Sequence, residues 1–166
     1  MSGRTEVIQR TISREDWIIR PANTTQYTAG DVVADTVTRT LRFADVVLSP
    51  GSGGIVQSAM VIDSSAESTK PDLELYLFNA NIVSQADNAA WAPTDTEMRA
   101  CVGWISLLST SFKTCGANGM IQSADKSLAF NCAVGSRDLF GVVVARNAYT
   151  PVSAEQFTFK LVFLPD

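Results

Sequence analysis

Gly53-Gly54-Ile55-Val56-Gln57-Ser58-Ala59-Met60-Val61-Ile62-Asp63, then Asp72-Leu73-Glu74-Leu75-Tyr76-Leu77-Phe78, then Asp87-Asn88-Ala89-Ala90-Trp91-Ala92-Pro93-Thr94-Asp95, is the stretch that decides the fold. The first segment alternates, with Val56, Met60 and Ile62 on one face and Gln57, Ala59 and Val61 on the other. The second places Leu73, Leu75 and Leu77 inward and Glu74 and Tyr76 outward, which is the pattern of a half-buried strand. In the third, Thr94 and Glu97 make a capping box just after Pro93. That predicts a helical turn or two over Thr94–Arg99, with Met98 facing inward. No other window sustains a helical period.

Working outward, the same two-residue rhythm continues on both sides. Leu41, Phe43, Asp45 and Val47 alternate with Arg42, Ala44, Val46 and Leu48, and the turn Ser49-Pro50-Gly51-Ser52 then breaks the run. Further strands are predicted over Val102–Leu108, Leu128–Cys132, Leu139–Ala145 and Gln156–Phe163. In the last of these, Phe157, Phe159, Leu161 and Phe163 share a face, opposite Thr158, Lys160 and Val162. Clusters of Gly, Pro, Asn and Ser separate nearly all of them. About eight short strands in a chain of this length predict an all-β fold, an antiparallel β-sandwich of jelly-roll-like organisation with one short helical turn.

Residues 21–166 read as a single sandwich domain. Residues 1–20 carry a weak alternation and then the apolar group Trp17-Ile18-Ile19 before Pro21. They form either the first strand of the same domain or an arm that lies on a neighbouring subunit. On the second reading Val7, Ile8, Ile12, Trp17, Ile18 and Ile19 are interface residues, together with Trp91 in the long loop. The segment Arg20–Asp35 adds a turn–strand–turn with a half-buried Tyr27 and a tight bend at Ala29-Gly30-Asp31.

Composition narrows the function. The chain of 166 residues contains no histidine, which removes the commonest general base and the commonest metal ligand. Ser and Cys therefore lack their usual activator, and no SxxK spacing offers a lysine instead. The six aspartates Asp31, Asp35, Asp63, Asp72, Asp87 and Asp95 stand beside turns, and none lies in a DxDxDG run of the calcium-binding kind. Gly51-Ser52-Gly53-Gly54 leads into a strand and lacks the Gly-Lys-Ser/Thr ending of a phosphate loop. No catalytic residue, metal or cofactor is expected. Charged residues are only 18% and the net charge is −4, which argues against a nucleic-acid partner. No apolar run reaches bilayer length and the first residues are polar, so a protein made in a cytoplasm, without a membrane partner, is expected. Cys101, Cys115 and Cys132 have no pairing implied by their spacing, and read as thiols or as one disulfide with a free thiol.

Four segments in order resemble the small head-decoration, or cement, proteins of tailed bacteriophages. They are the Tyr27-x-x-Gly30-Asp31 turn, the Gly53-Gly54-Ile55 turn feeding a strand that contains Ala59, the strand ending Leu75-x-Leu77-Phe78, and the loop Asp87-Asn88 to Asp95 before Gly103 and Ile105. The resemblance covers residues 20–108. It implies a jelly-roll-like subunit bound as a dimer or trimer to the major capsid protein lattice, on the virion surface, and it carries over no catalytic residues. An alternative is a tail or receptor-binding module that takes carbohydrate, for which Trp91 is the candidate platform.

Overall fold

In the computed structural model, residues 10–37, 40–124 and 126–166 are described. The strands among them are β1 (Ile12–Ile19), β2 (Val32–Val33), β3 (Leu41–Phe43), β4 (Gly53–Asp63), β5 (Leu73–Phe78), β6 (Cys101–Leu107), β7 (Lys113–Cys115), β8 (Asn118–Ser123), β9 (Leu128–Asn131), β10 (Leu139–Ala145) and β11 (Gln156–Pro165). One helix, α1 (Asp95–Arg99), precedes β6.

Two antiparallel sheets face each other. One has the order β1-β11-β4-β8-β7, with β9 also paired to β4, and the other has β2-β10-β5-β6, with β3 also paired to β10. Because β2 and β3 share one edge of β10, and β8 and β9 share one edge of β4, the described strands occupy eight principal positions plus the β7 hairpin. The chain crosses from sheet to sheet in the nested order of a jelly roll. The expected sandwich and strand number are thus present, with two positions split into short pieces.

Between the sheets lies one large apolar core. Phe157, Phe159, Leu161 and Phe163 of β11 meet Leu73, Leu75 and Leu77 of β5, and Phe163 packs against Phe43 and Phe130 at ring-centroid distances of 6.4 and 5.7 Å. The expected alternation of β4 is corrected at one point. Gln57 is an extra residue between the pairs Ser58–Val162 and Val56–Phe163, a bulge that shifts the parity. Val56 therefore points inward together with Ala59, Val61 and Asp63, while Met60 and Ile62 point out.

Strand β1 pairs with β11 along its whole length. Alternation splits the Trp17-Ile18-Ile19 group: Ile18 joins the core with Ile12, and Trp17 and Ile19 remain 44% and 41% exposed. Arg14 Nε and Nη2 donate to the carbonyls of Ala44 and Asp45, and Asp16 accepts from the Arg42 amide, so side chains of β1 bridge to the other sheet at this edge. Val7 and Ile8 lie outside the described residues.

Helix α1 has the expected cap. Thr94 Oγ1 accepts from the Glu97 amide, and the Glu97 carboxylate accepts from the Thr94 amide at 2.8 Å. Met98, however, is 39% exposed rather than inward. A helix of five residues lying on the surface has no buried position to offer it.

At the rim where β1 and β4 end and β11 begins, the loops are tied by buried charges. Arg20 donates from Nε to the Tyr27 hydroxyl and from Nη2 to Asp87 Oδ2 at 3.0 Å, and Tyr27 donates to Asp87 Oδ1 at 2.5 Å. Tyr27, expected half-buried, is fully buried, because its ring stacks on Tyr149 and lies under the Arg20 guanidinium. Tyr149 in turn donates to Glu155 Oε1 at 2.6 Å, and nearby Asp63 accepts from Lys70 Nζ at 2.6 Å. Glu155 Oε2 has no conventional hydrogen-bond partner. Burial, together with the neighbouring Asp63 carboxylate, pushes the Glu155 carboxyl up to about 7.

A carboxyl raised in the folded state keeps its proton over a pH range in which the unfolded chain has lost it. Stability gained from neutral Glu155 is complete below about 4.5 and is lost as pH rises through about 7. The span corresponds to roughly 3 kcal/mol. Urea unfolding between pH 5 and 8 should show stability falling with pH, and Glu155→Gln, which keeps an acceptor for Tyr149, should flatten that fall. A wild-type profile no steeper than that of the variant would refute the assignment.

Candidate functional site

The outer faces of the two sheets differ. On the first sheet, the outward residues of adjacent strands form the row Trp17, Thr158, Ile62 and Met120, given directly by the pairing register. In this row Trp17 is 44% and Ile62 37% exposed. Ile19 extends the row at the β1 edge.

On the second sheet, the outer face is largely covered. Val142 and Val144 of β10, with Phe78 and Ile82, form a second apolar cluster beneath the β5–β6 connection, residues 79–100. That connection runs along β2. The Val32 amide donates to the Ala89 carbonyl, the Asn88 amide to the Val32 carbonyl and the Trp91 amide to the Gly30 carbonyl, each at 2.9 Å. The free edge of β2 is thereby used, and Trp91 is laid over the sheet.

Trp91 is half-buried there, with its ring centroid 4.2 Å from that of Tyr76. Tyr76 stands directly opposite Trp104 in the β5–β6 register, and those two rings are 6.2 Å apart and 26° from parallel. Trp104 is 59% exposed. Tyr76 donates to Glu74 Oε2 at 2.7 Å, and Arg146 donates from Nε to Glu74 Oε2 at 2.6 Å and from Nη2 to the Tyr76 hydroxyl at 2.5 Å. Burial and the bond to Glu74 push the Tyr76 phenol up, so it stays a neutral donor. Glu74, Tyr76, Trp104 and Arg146, with Met98, Cys101, Val102 and Gly103, line an open groove of about 480 Å³.

Burial pushes the Cys101 thiol up, the opposite of what an activated nucleophile needs. Burial also raises Cys132 to about 11. All three cysteines are free thiols, and Cys115 is exposed. Among the described residues, no group of three or more Cys, Asp or Glu is placed to hold a metal ion, and no helix is long and apolar enough to cross a membrane.

The structure sorts the sequence-predicted residues into three places. Ile12 and Ile18 are taken up by this chain's own core, Trp17 and Ile19 stand partly exposed on the outer face of the first sheet, and Trp91 packs against Tyr76 on the second without lining the groove. Sequence reasoning missed Tyr76 and Trp104, whose outward positions read as ordinary solvent-facing ones. The available signal was that two aromatic residues fall on the outward phase of consecutive strands. It also placed the aspartates only at turns, whereas Asp63 and Asp87 are the buried partners of Lys70 and Arg20.

No protein-family model matches the chain, and no curated protein matches it in sequence. Among solved structures, the acid-stable capsid of Helicobacter pylori bacteriophage KHP30 is similar at 8% identity and a TM-score of 0.30, over 94% of this chain and 89% of that one. A Triatoma virus structure is similar at 14% identity and a TM-score of 0.29, over 93% of this chain and 64% of that one. A structure of infectious bursal disease virus, Gx strain, gives 12% identity and a TM-score of 0.21, over 100% of this chain and 45% of that one. Overlaps at these TM-scores and identities do not establish a relationship.

Gly103 shapes the groove floor. It stands opposite Leu77 where Val102 is an unpaired extra residue, and its φ is +143°. A Cβ there would come within 2.5 Å of Leu128 Cδ1. Gly103→Ala should therefore lose at least about 1 kcal/mol in urea unfolding, through backbone strain and displacement of Leu128. An unchanged midpoint would show that the bulge tolerates a side chain.

Proposed function

We propose that the chain is a virion structural protein, a head-decoration or cement subunit that holds a phage capsid lattice together by protein–protein contacts and works as a homo-oligomer on the capsid surface. The observation that carries this reading is the open outer face of the first sheet. A row from Trp17 through Thr158 and Ile62 to Met120 crosses four hydrogen-bonded strands, and Trp17 and Ile62 in it are 44% and 37% exposed. A rigid sheet presents such a row without the ordering cost that a loop incurs.

Low charge supports the same reading, since Lys and Glu are depleted in the cores of interfaces. Burying Trp17, Ile19 and Ile62 against a partner contributes roughly 1.5–3 kcal/mol each before the costs of association. Contacts of that size hold a shell when symmetry repeats them and subunits bind in more than one place. The order of the four segments that resemble decoration proteins supports the same assignment, as does the lack of any histidine.

The test uses particles of the virus that encodes the chain, stripped of it and incubated with purified protein. Saturable co-sedimentation at hundreds of copies per particle is expected. Trp17→Ser with Ile62→Ser should remain folded and bind at least roughly tenfold more weakly. A few copies per particle, or undiminished binding by the double variant, would overturn the proposal. Substitution is the appropriate probe here, because β1 is hydrogen-bonded to β11 over eight residue pairs and its removal would expose a core strand.

A further inference from the structure

We propose that the groove between Tyr76 and Trp104 binds a neutral saccharide, with a sugar ring packed on Trp104. This site lies on the second sheet, away from the Trp17 row, and its occupancy is independent of a lattice contact there.

The first ground is the preorganised aromatic surface. A tryptophan left 59% exposed on a β-strand is an apolar surface without a covering element. It is also held rigid from behind. Trp104 lies 6.2 Å from Tyr76, Tyr76 is backed by Trp91 at 4.2 Å, and its hydroxyl is pinned between Glu74 and Arg146. A ligand that stacks on Trp104 therefore does not have to order the ring, which keeps the entropic cost of binding low.

The second ground is the polar edge of the groove. The bonds that pin Tyr76 use Glu74 Oε2 and Arg146 Nε and Nη2. Glu74 Oε1 and Arg146 Nη1 take no part in them, so an acceptor and a donor sit side by side next to the aromatic faces. The two side chains are 21% and 36% exposed.

A pyranose ring matches both grounds. Its axial C–H groups make an apolar face for an indole, and each hydroxyl can donate to a carboxylate and accept from a guanidinium. The saccharide is neutral because Glu74 balances the Arg146 charge at 2.6 Å, so Arg146 does not select an acidic sugar. A proline-rich peptide also packs on aromatic rings, but it supplies carbonyl acceptors and few N–H donors, so Glu74 Oε1 would face a pyrrolidine ring.

The full chain would be titrated with maltohexaose, cellohexaose and chitohexaose and screened on an array of neutral glycans, with a proline decapeptide as the competing probe. Saturable binding of at least one neutral glycan is expected. It should shift the Trp104 indole N–H resonance while leaving that of Trp17 in place. Trp104→Ala should weaken it roughly tenfold or more, and Glu74→Gln severalfold, with the melting temperature of each variant checked. The Trp104 resonance in the wild-type protein decides the matter even if a variant fails to fold. No binding across the neutral glycans, binding that leaves the Trp104 resonance unmoved, full affinity in a folded Trp104→Ala, or binding of the proline decapeptide alone would each overturn the proposal.

Discussion

Strand β10 has no polar face, and much of the architecture follows from that. Leu139, Val143 and Ala145 belong to the core between the sheets, while Val142 and Val144 on the opposite side are equally buried. A strand apolar on both faces must be covered on both. β11 and its sheet cover one side, and the β5–β6 connection covers the other. Covering β10 brings residues 88–91 alongside β2, lays Trp91 against Tyr76 and sets α1 on the surface beside β6. The groove at Trp104 is the margin at which this cover stops.

The first sheet meets a different constraint. Its described strands keep a mixed outer phase of polar and apolar residues. β11 alternates Phe157, Phe159, Leu161 and Phe163 inward with Thr158, Lys160 and Val162 outward. Edge strand β1 is handled by side chains rather than by another strand. Arg14 and Asp16 reach the backbone of residues 42–45, closing the sandwich between its two sheets. Trp17 and Ile62 stay partly exposed on the outer face of this sheet.

Between the two sheets, the loop rim is held by charges out of reach of water. Arg20 with Asp87 joins segments 67 residues apart, Lys70 with Asp63 ties the β4–β5 connection to the end of β4, and the stacked Tyr27 and Tyr149 lie between the two pairs. Such pairs add little net stability over apolar packing, but removing one partner strands the other. Here each of these buried charges is matched by its partner within the rim. That is a different form of order from the apolar core, and it sets the level at which the 79–100 connection begins its return over β10.

Local sequence was sufficient where an unbroken period or a cap alone decides the structure. The inward leucines of β5, the phenylalanines of β11, the limits of β10 and the Thr94–Glu97 capping box are all legible from spacing, because each depends on neighbours within a few residues. The absence of histidine likewise bounded the chemistry without any coordinates. Tertiary structure decided the rest. The bulge at Gln57 reversed the parity of β4 because β11 opposes it, a partner about a hundred residues away. Asp87 became the ion-pair partner of Arg20, and Tyr27 was buried, because of loops that no local pattern connects. Trp91 and Trp104, thirteen residues apart, share a face only through Tyr76, which lies upstream of both. Periodicity reports which side of a strand faces inward, but the pairing of distant strands determines what the outward side meets.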